Sequence, residues 1–190
     1  MRRVCACFCN NYIYSFSISP EIGYKSRKAV DRWARGCIIF PLQDKGGQIV
    51  SLYGRGITGQ SHFYQKGRSG LYPAYPKKTT KVLLITECVI DAATLLPLEL
   101  SLVDYSILAL YGTNGLTDEH LKAIKNLPDL QEIIFCLDGD EAGNEATKEY
   151  TMKLGRLKPK VVISQLSIPE NEDINSLAIN HEDHEALFKA

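Results

Sequence analysis

No apolar run in the 190 residues approaches the length needed to cross a bilayer, so no membrane span is expected. No secretory leader is expected either. Arg2 and Arg3 precede the apolar stretch Val4 to Phe8, but Asn10 and Asn11 interrupt it and no small-residue cleavage site follows. Residues 1–20 are therefore read as a loosely ordered leader. The six cysteines form no disulfide framework: Cys37, Cys88 and Cys136 fall in or beside expected strands, where a free thiol behaves as a small buried hydrophobe. The trio Cys5, Cys7 and Cys9 lacks the two-residue separation of a structural zinc knuckle, and no histidine lies near it. A reducing, cytoplasmic compartment fits that cysteine usage. Net charge is zero as well, yet the balance is uneven along the chain. Residues 21–81 hold twelve Lys/Arg against three Asp/Glu, whereas residues 82–190 hold eight against nineteen. A basic half joined to an acidic half suggests a polyanion held by one and metal ions by the other.

What the acidic half has is a set of carboxylates at the ends of short apolar runs. Val82-Leu83-Leu84-Ile85-Thr86 leads into Glu87 and Asp91, and Ile133-Ile134-Phe135-Cys136-Leu137 leads into Asp138-Gly139-Asp140. Continuous apolar runs flanked by helical patterns read as parallel strands buried on both faces. In an open α/β sheet the loops leaving the carboxyl ends of the strands form the ligand crevice, so the acids should meet there. Crowded carboxylates repel unless a cation or shared proton relieves them. Mg²⁺, with its preference for one or two carboxylates plus water and phosphate oxygens, suits Asp138 and Asp140, and Gly139 between them would permit a tight turn aiming both at one ion. An isolated Asp-x-Asp is more often a polar turn; here it stands in company.

The remaining elements follow a regular rhythm. Strands are expected at 81–86, 106–111, 132–137 and 160–164. Helices are expected around 90–101, with Pro97 kinking or ending the first, from Asp118 to Leu127, and after Asp140, with Ala142, Ala146 and Tyr150 facing inward. Strand and helix in alternation imply a parallel sheet. Upstream, residues 21–35 read as a basic helix. Cys37 to Leu42 and Gln48 to Gly56 form a β-hairpin around Asp44-Lys45-Gly46-Gly47. Gly54 and Gly56 would leave the backbone about Arg55 bare for a phosphate or base, or mark a bulge. Between His62 and Pro73 basic and aromatic side chains interleave, a pattern suited to rings stacking on bases while Lys66 and Arg68 neutralise phosphates. Pro73, Pro76, Lys77 and Lys78 mark the junction between the halves.

Three ordered motifs, Glu87-Cys88-Val89-Ile90-Asp91, Gly112-Thr113 and Asp138-Gly139-Asp140-Glu141-Ala142-Gly143, resemble the Toprim domain over roughly residues 80–180. Ile38-Ile39-Phe40-Pro41, Asp44-Lys45-Gly46, Tyr53-Gly54-Arg55 and Phe63-Tyr64-Gln65-Lys66-Gly67 look like the lobe preceding that domain in bacterial-type (DnaG-like) DNA primases. The resemblance implies an α/β Toprim fold, a central parallel sheet flanked by helices over 80–190, after a small basic α+β lobe over 21–79. It implies that Glu87 is the acid/base residue, that Asp138 and Asp140 bind Mg²⁺ or Mn²⁺, that Asp91 supports the cluster or the turn, and that Asp173 is a further metal candidate, with Glu170 and Glu172 as alternative ligands or all three as solvated acids. Arg55, Lys66, Arg68 and Lys45 would sit on the face that holds nucleic acid or nucleotide. Cys88 stands where primases often have Gly and should crowd the turn without removing a ligand. The implied activity is RNA primer synthesis on single-stranded DNA from nucleoside triphosphates. Neither a zinc module nor a helicase-binding region is visible, so the chain is read as a fragment or a mobile-element relative that works with a helicase or a separate zinc-module protein. Two other readings stay open: a Toprim accessory that binds nucleic acid without polymerising, and a Toprim nuclease.

Overall fold

A computed structural model describes residues 37–57, 61–97, 102 and 104–180. The leader, the helix expected over 21–35, and His181 and His184 lie outside the described residues. The chain divides into two compact units, Met1–Ala74 and Tyr75–Ala190.

In the first unit β1 (Cys37–Gln43) pairs antiparallel with β2 (Ile49–Gly56), and β2 pairs antiparallel with β3 (His62–Tyr64). The turn between β1 and β2 is closed by Asp44, whose Oδ1 accepts the N–H groups of Gly46 at 2.8 Å and Gln48 at 2.9 Å. Asp side chains favour such turns because they mimic a backbone acceptor, and Gly47 takes φ 78°, which costs glycine nothing. Pro41 is tolerated because β1 is an edge strand. Phe40, Leu42, Leu52, Tyr53, Leu71 and Tyr72 make the buried core of this unit.

The second unit is a four-stranded parallel sheet with flanking helices, an α/β fold. β4 (Val82–Thr86) and β6 (Glu132–Cys136) are central, β5 (Tyr105–Ala109) and β7 (Val162–Gln165) are outer, and the order is β5-β4-β6-β7. Leu83, Leu84, Ile85, Ile133 and Phe135 are fully buried, which is why the central strands read as unbroken apolar runs. Burying a leucine or isoleucine side chain in this way stabilises by about 2 kcal/mol relative to exposing it.

The helices are α1 (Val89–Leu95), α2 (Asp118–Lys125), α3 (Glu141–Leu157) and α4 (Ile174–Asn180). α1 packs against α4, and Thr94 Oγ1 donates to Asn175 Oδ1 at 3.1 Å. α1 ends at Leu95, short of the pattern at 90–101: the C-cap Leu96 is still helical, but Pro97 has no N–H to carry the ladder further. α3 presents Gly143, Ala146, Thr147, Tyr150 and Leu154 inward; Ala142, expected inside, is exposed. The inward face begins one residue later because Asp140 is the cap and Gly143 sits so close to the Asp138 carbonyl that a Cβ would collide with it.

Two side chains anchor the loop after β5. Tyr150 donates its hydroxyl to the Thr113 carbonyl and accepts the Leu116 N–H at 3.4 Å. His120 is fully buried, with Nε2 3.0 Å from the Ala109 carbonyl and Nδ1 2.7 Å from Thr117 Oγ1. The carbonyl can only accept, so Nε2 carries the proton and Nδ1 accepts from Thr117. Replacing Tyr150 with Phe leaves the Thr113 carbonyl and the Leu116 N–H unpaired. We expect a loss of about 1–2 kcal/mol in urea-induced unfolding with an unchanged m-value; an unchanged midpoint would mean that this hydroxyl does not hold the loop.

Candidate metal centre

β4 and β6 run parallel with Thr86 opposite Cys136, so the residues that leave them start level. Glu87 and Asp138 consequently adjoin: the Asp138 N–H donates to Glu87 Oε2 at 3.4 Å. From β5 the ladder continues past the strand end, with Leu110 N–H bonded to the Thr86 carbonyl at 2.9 Å and Gly112 N–H to the Glu87 carbonyl at 3.0 Å. Gly112 turns the chain away with φ 94°. From the β7 side, Gly139 N–H donates to the Glu172 carbonyl at 2.9 Å. A Cβ on Gly139 would meet the carbonyl oxygens of Ile168 and Pro169. Glycine is therefore needed there for close passage of another segment, a reason different from the tight turn expected.

The remaining acids sit at helix starts. Asp140 is the N-cap of α3 and accepts the Gly143 N–H on Oδ1 at 2.7 Å. Asp91 is only 2% exposed and closes a capping box at α1, accepting the Cys88 N–H at 3.1 Å. Asp173 caps α4, with Oδ1 accepting the Ser176 N–H at 2.6 Å while Ser176 Oγ accepts the Asp173 N–H at 3.0 Å. Cys88 takes extended backbone at the α1 N-cap (φ −133°), a conformation open to any residue, so the departure from glycine adds no backbone strain. Burial, with the negative Asp91 beside it, raises its thiol pKa and keeps it protonated.

These carboxylates act on one another. Burial first, then the charges of Glu87, Asp91, Asp173 and Asp140, push Asp138 up to about 7. Burial pushes Asp91 up to about 6, with Asp173 and Glu87 adding to it against the Cys88 hydrogen bonds. Glu87 is likewise raised by burial, with Asp140 adding and the Asp138 N–H opposing. Asp138 Oδ1 is buried and has no hydrogen-bond partner, an uncommon and costly state for a carboxylate oxygen.

A hard divalent cation fits this donor set: an orphaned carboxylate oxygen on Asp138, crowded by like charge, beside Asp140, whose Oδ1 serves the helix while Oδ2 faces no such demand. Among the described residues, no three His, Cys, Asp or Glu groups are placed to hold an ion among themselves. Remaining ligands would come from water and phosphate, as is usual for Mg²⁺. Alongside, Asp140, Glu141, Ala142, Glu145, Glu170 and Asn171 line a shallow, open cleft of about 710 Å³.

Residues 84–178 match the family model described as Toprim-like. The chain belongs to the Toprim-like family. Among curated proteins it is similar to the DNA primase of Buchnera aphidicola subsp. Acyrthosiphon pisum, 32% identical over 156 residues that cover 75% of this chain and 26% of that protein. It is 28% identical to the DNA primase of Pseudomonas aeruginosa over 163 residues, covering 79% of this chain and 23% of that one. The chain thus spans about a quarter of the length of these curated relatives. Among solved structures, a DNA primase domain from Pseudomonas aeruginosa aligns with TM-score 0.63 and 26% identity over 81% of this chain and 50% of that one. A DnaG primase catalytic domain bound to single-stranded DNA shares the fold, at TM-score 0.63 and 24% identity over 80% of this chain and 50% of that one.

In the first unit the four basic candidates are spread over one strand and two turns. Arg55 lies on β2 and its guanidinium hydrogen-bonds the His62 ring. Arg68 lies 4.3 Å over the Tyr64 ring, which packs on Tyr53 at 4.9 Å between centroids. The Tyr64 ring, expected to stack on bases, already carries a guanidinium. Lys45 and Lys66 are exposed in the turns after β1 and β3. Gly54 neither bares the backbone nor marks a bulge: a Cβ there would stand 3.3 Å from Ile39 Cδ1 and 3.4 Å from Phe63 Cβ, so neighbouring side chains fill its place. Missed from sequence was His120, whose only local signal is the spacing Thr117-x-x-His120 at a helix start.

A carboxylate whose folded pKa is raised takes up protons on folding, so its contribution to stability is present below the unfolded value and is lost as pH rises through the folded one. Without divalent ions, stability should therefore fall between about pH 4 and 7, where Asp138 and Asp91 ionise. Mg²⁺ should raise Tm more at pH 8 than at pH 5. In Asp138→Asn the metal-free Tm at pH 8 should rise and the Mg²⁺ shift shrink. Thermal unfolding in EDTA and in Mg²⁺ checks both, and an equal Mg²⁺ shift at both pH values would argue against an ion at Asp138.

Proposed function

We propose that the chain is a divalent-metal-dependent, primase-like nucleotidyltransferase that joins ribonucleotides into short RNA primers on single-stranded DNA. The observation that carries this reading is the buried, unsatisfied oxygen of Asp138 beside Glu87, in a chain similar to DNA primases. In this reading Asp138 and Asp140 hold Mg²⁺ or Mn²⁺ with water and phosphate oxygens as the other ligands, Asp173 adds negative charge at the rim while capping α4, and Asp91 keeps α1 and the Glu87 loop in position. Bound there, the ion would neutralise charge on the triphosphate and on the departing pyrophosphate.

Glu87 accepts the proton of the attacking hydroxyl or orients it. Its burial raises its pKa above the ordinary carboxylate value, the direction that strengthens a general base. Arg55, Lys66, Arg68 and Lys45 bind phosphates of the template or the incoming nucleotide. Arginine suits that role because its planar fork matches phosphate oxygens and stays charged. A helicase or a separate zinc-module protein is the partner this reading calls for.

Template-dependent incorporation of labelled ribonucleotides tests the reading. We expect the wild-type chain to extend on single-stranded DNA and Asp138→Ala to lose at least about a hundredfold of that signal, as loss of a group stabilising transition-state charge does. Equal signals would overturn the role of Asp138. Binding that survives chelation with no turnover would select the accessory reading, and metal-dependent loss of DNA strands without nucleotides would select the nuclease. In a separate salt titration, Arg55→Ala and Lys66→Ala should each lower the slope of log affinity against log salt for single-stranded DNA by about 0.7.

A further inference from the structure

Arg55 on β2 and His62 on β3 are partners across the antiparallel ladder. The guanidinium hydrogen-bonds His62 Nε2, and His62 Nδ1 lies 2.8 Å from Tyr53 Oη. Arginine has donors only and keeps its charge throughout the working range; Arg55 Nη1 lies 3.3 Å from Nδ1 but nearer to Nε2, so Nε2 is assigned as the acceptor. A neutral ring that accepts at Nε2 carries its proton on Nδ1 and gives it to Tyr53 Oη. Both nitrogens therefore have assigned roles, and the ring is neutral beside a permanent cation. Among the described residues, the titratable and charged groups in contact with the ring are Arg55 and Tyr53 from β2, and of these Arg55 is the one charged near neutral pH. Burial, with the Arg55 charge adding, holds the imidazole pKa below its ordinary value. β3 is exposed at all three of its residues, so a ligand has access to the pair.

We propose that Arg55 and His62 form a proton-linked phosphate site, in which a phosphate settling on Arg55 draws a proton from solvent onto His62 Nε2. Nε2 then donates to the phosphate instead of accepting from the guanidinium, while Nδ1 keeps its own proton on Tyr53. Without a ligand this protonation would set imidazolium against guanidinium. A phosphate reverses the sign of the local field and removes the objection. Linkage is reciprocal: an anion that favours the proton is itself favoured by the proton. The site rests on the reading of Arg55 as a phosphate-binding residue. Its ligand chemistry is a phosphate group, on a nucleoside triphosphate or on the backbone of a single strand.

The test uses the full chain with fluorescein-labelled oligothymidylate and, separately, ATP, from pH 8 to pH 5.5 at constant ionic strength. Affinity should rise by about three- to tenfold on acidification, within the limit for one coupled proton, and His62→Gln should lack that rise. Asp138 also titrates in this window, so the readout is the difference between wild type and variant. A rise with only one of the two ligands supports the site and identifies which phosphate it takes. Equal slopes in wild type and His62→Gln overturn the proton link and leave Arg55 as a phosphate ligand. No binding of either ligand at any pH overturns both. Should the variant not fold, the Hε1 resonance of His62 in the wild-type chain decides: ligand must move its titration midpoint upward, and an unmoved midpoint overturns the proposal.

Discussion

Like-charge crowding at the carboxyl rim of one parallel sheet is the constraint on which the second unit depends. The level register of β4 and β6 leaves no freedom in the matter: once Thr86 pairs opposite Cys136, the next residues of both strands emerge side by side, and both lead into acids. The charges that act on Asp138 are all negative, from Glu87, Asp91, Asp173 and Asp140. Two like charges about 4 Å apart oppose one another by about 4 kcal/mol at the effective dielectric near a protein surface. The sheet tolerates that arrangement because the buried apolar runs beneath it fix the strand ends whatever the rim contains.

Part of the repulsion is offset locally. Asp91, Asp140 and Asp173 each accept backbone N–H groups at a helix start, where unpaired donors and the positive end of the helix dipole favour a carboxylate. The three acids that hold helices in place are thus also three of those that make the rim electronegative. Glu87 and Asp138 have less help. Glu87 receives one long backbone hydrogen bond, and Asp138 has an oxygen with none. The division is physical: some carboxylates are satisfied by the fold, and one is satisfied only by a proton or a cation.

The sequence made the rim legible because it rests on a strong signal. Buried parallel strands are unbroken apolar runs, so Val82–Thr86 and Glu132–Cys136 announce their ends, and the acids just beyond them must share an edge. Details that depend on what a residue meets from elsewhere in the chain were not legible. Gly139 reads as a turn glycine until the Ile168 and Pro169 carbonyls are seen against it. Gly54 reads as bare backbone until Phe63 and Ile39 close over it. Ala142 fits an inward fourfold repeat, but its neighbour Gly143 is the buried residue because the Asp138 carbonyl approaches there. Each of these contacts spans strand or loop partners that local pattern does not encode.

The first unit solves the opposite electrostatic problem by a different device. Its cations do not need to be crowded, since repulsion among long basic side chains is relieved by solvent; they need to be aimed. Arg55 leans on a neutral imidazole and Arg68 on an aromatic ring. Both partners hold a guanidinium in position without cancelling its charge, whereas a carboxylate would do both, as Asp104 does for Lys81 at 2.8 Å. Tyr64 packs on Tyr53, and Tyr53 on Phe40 within the core, so the guanidinium of Arg68 sits at the end of an aromatic column rooted in rigid structure. A flexible side chain fixed in this way loses less entropy when a phosphate arrives, and that saving appears directly as affinity. Neutral supports beneath cations are consistent with the phosphate-binding role proposed for Arg55 and Arg68.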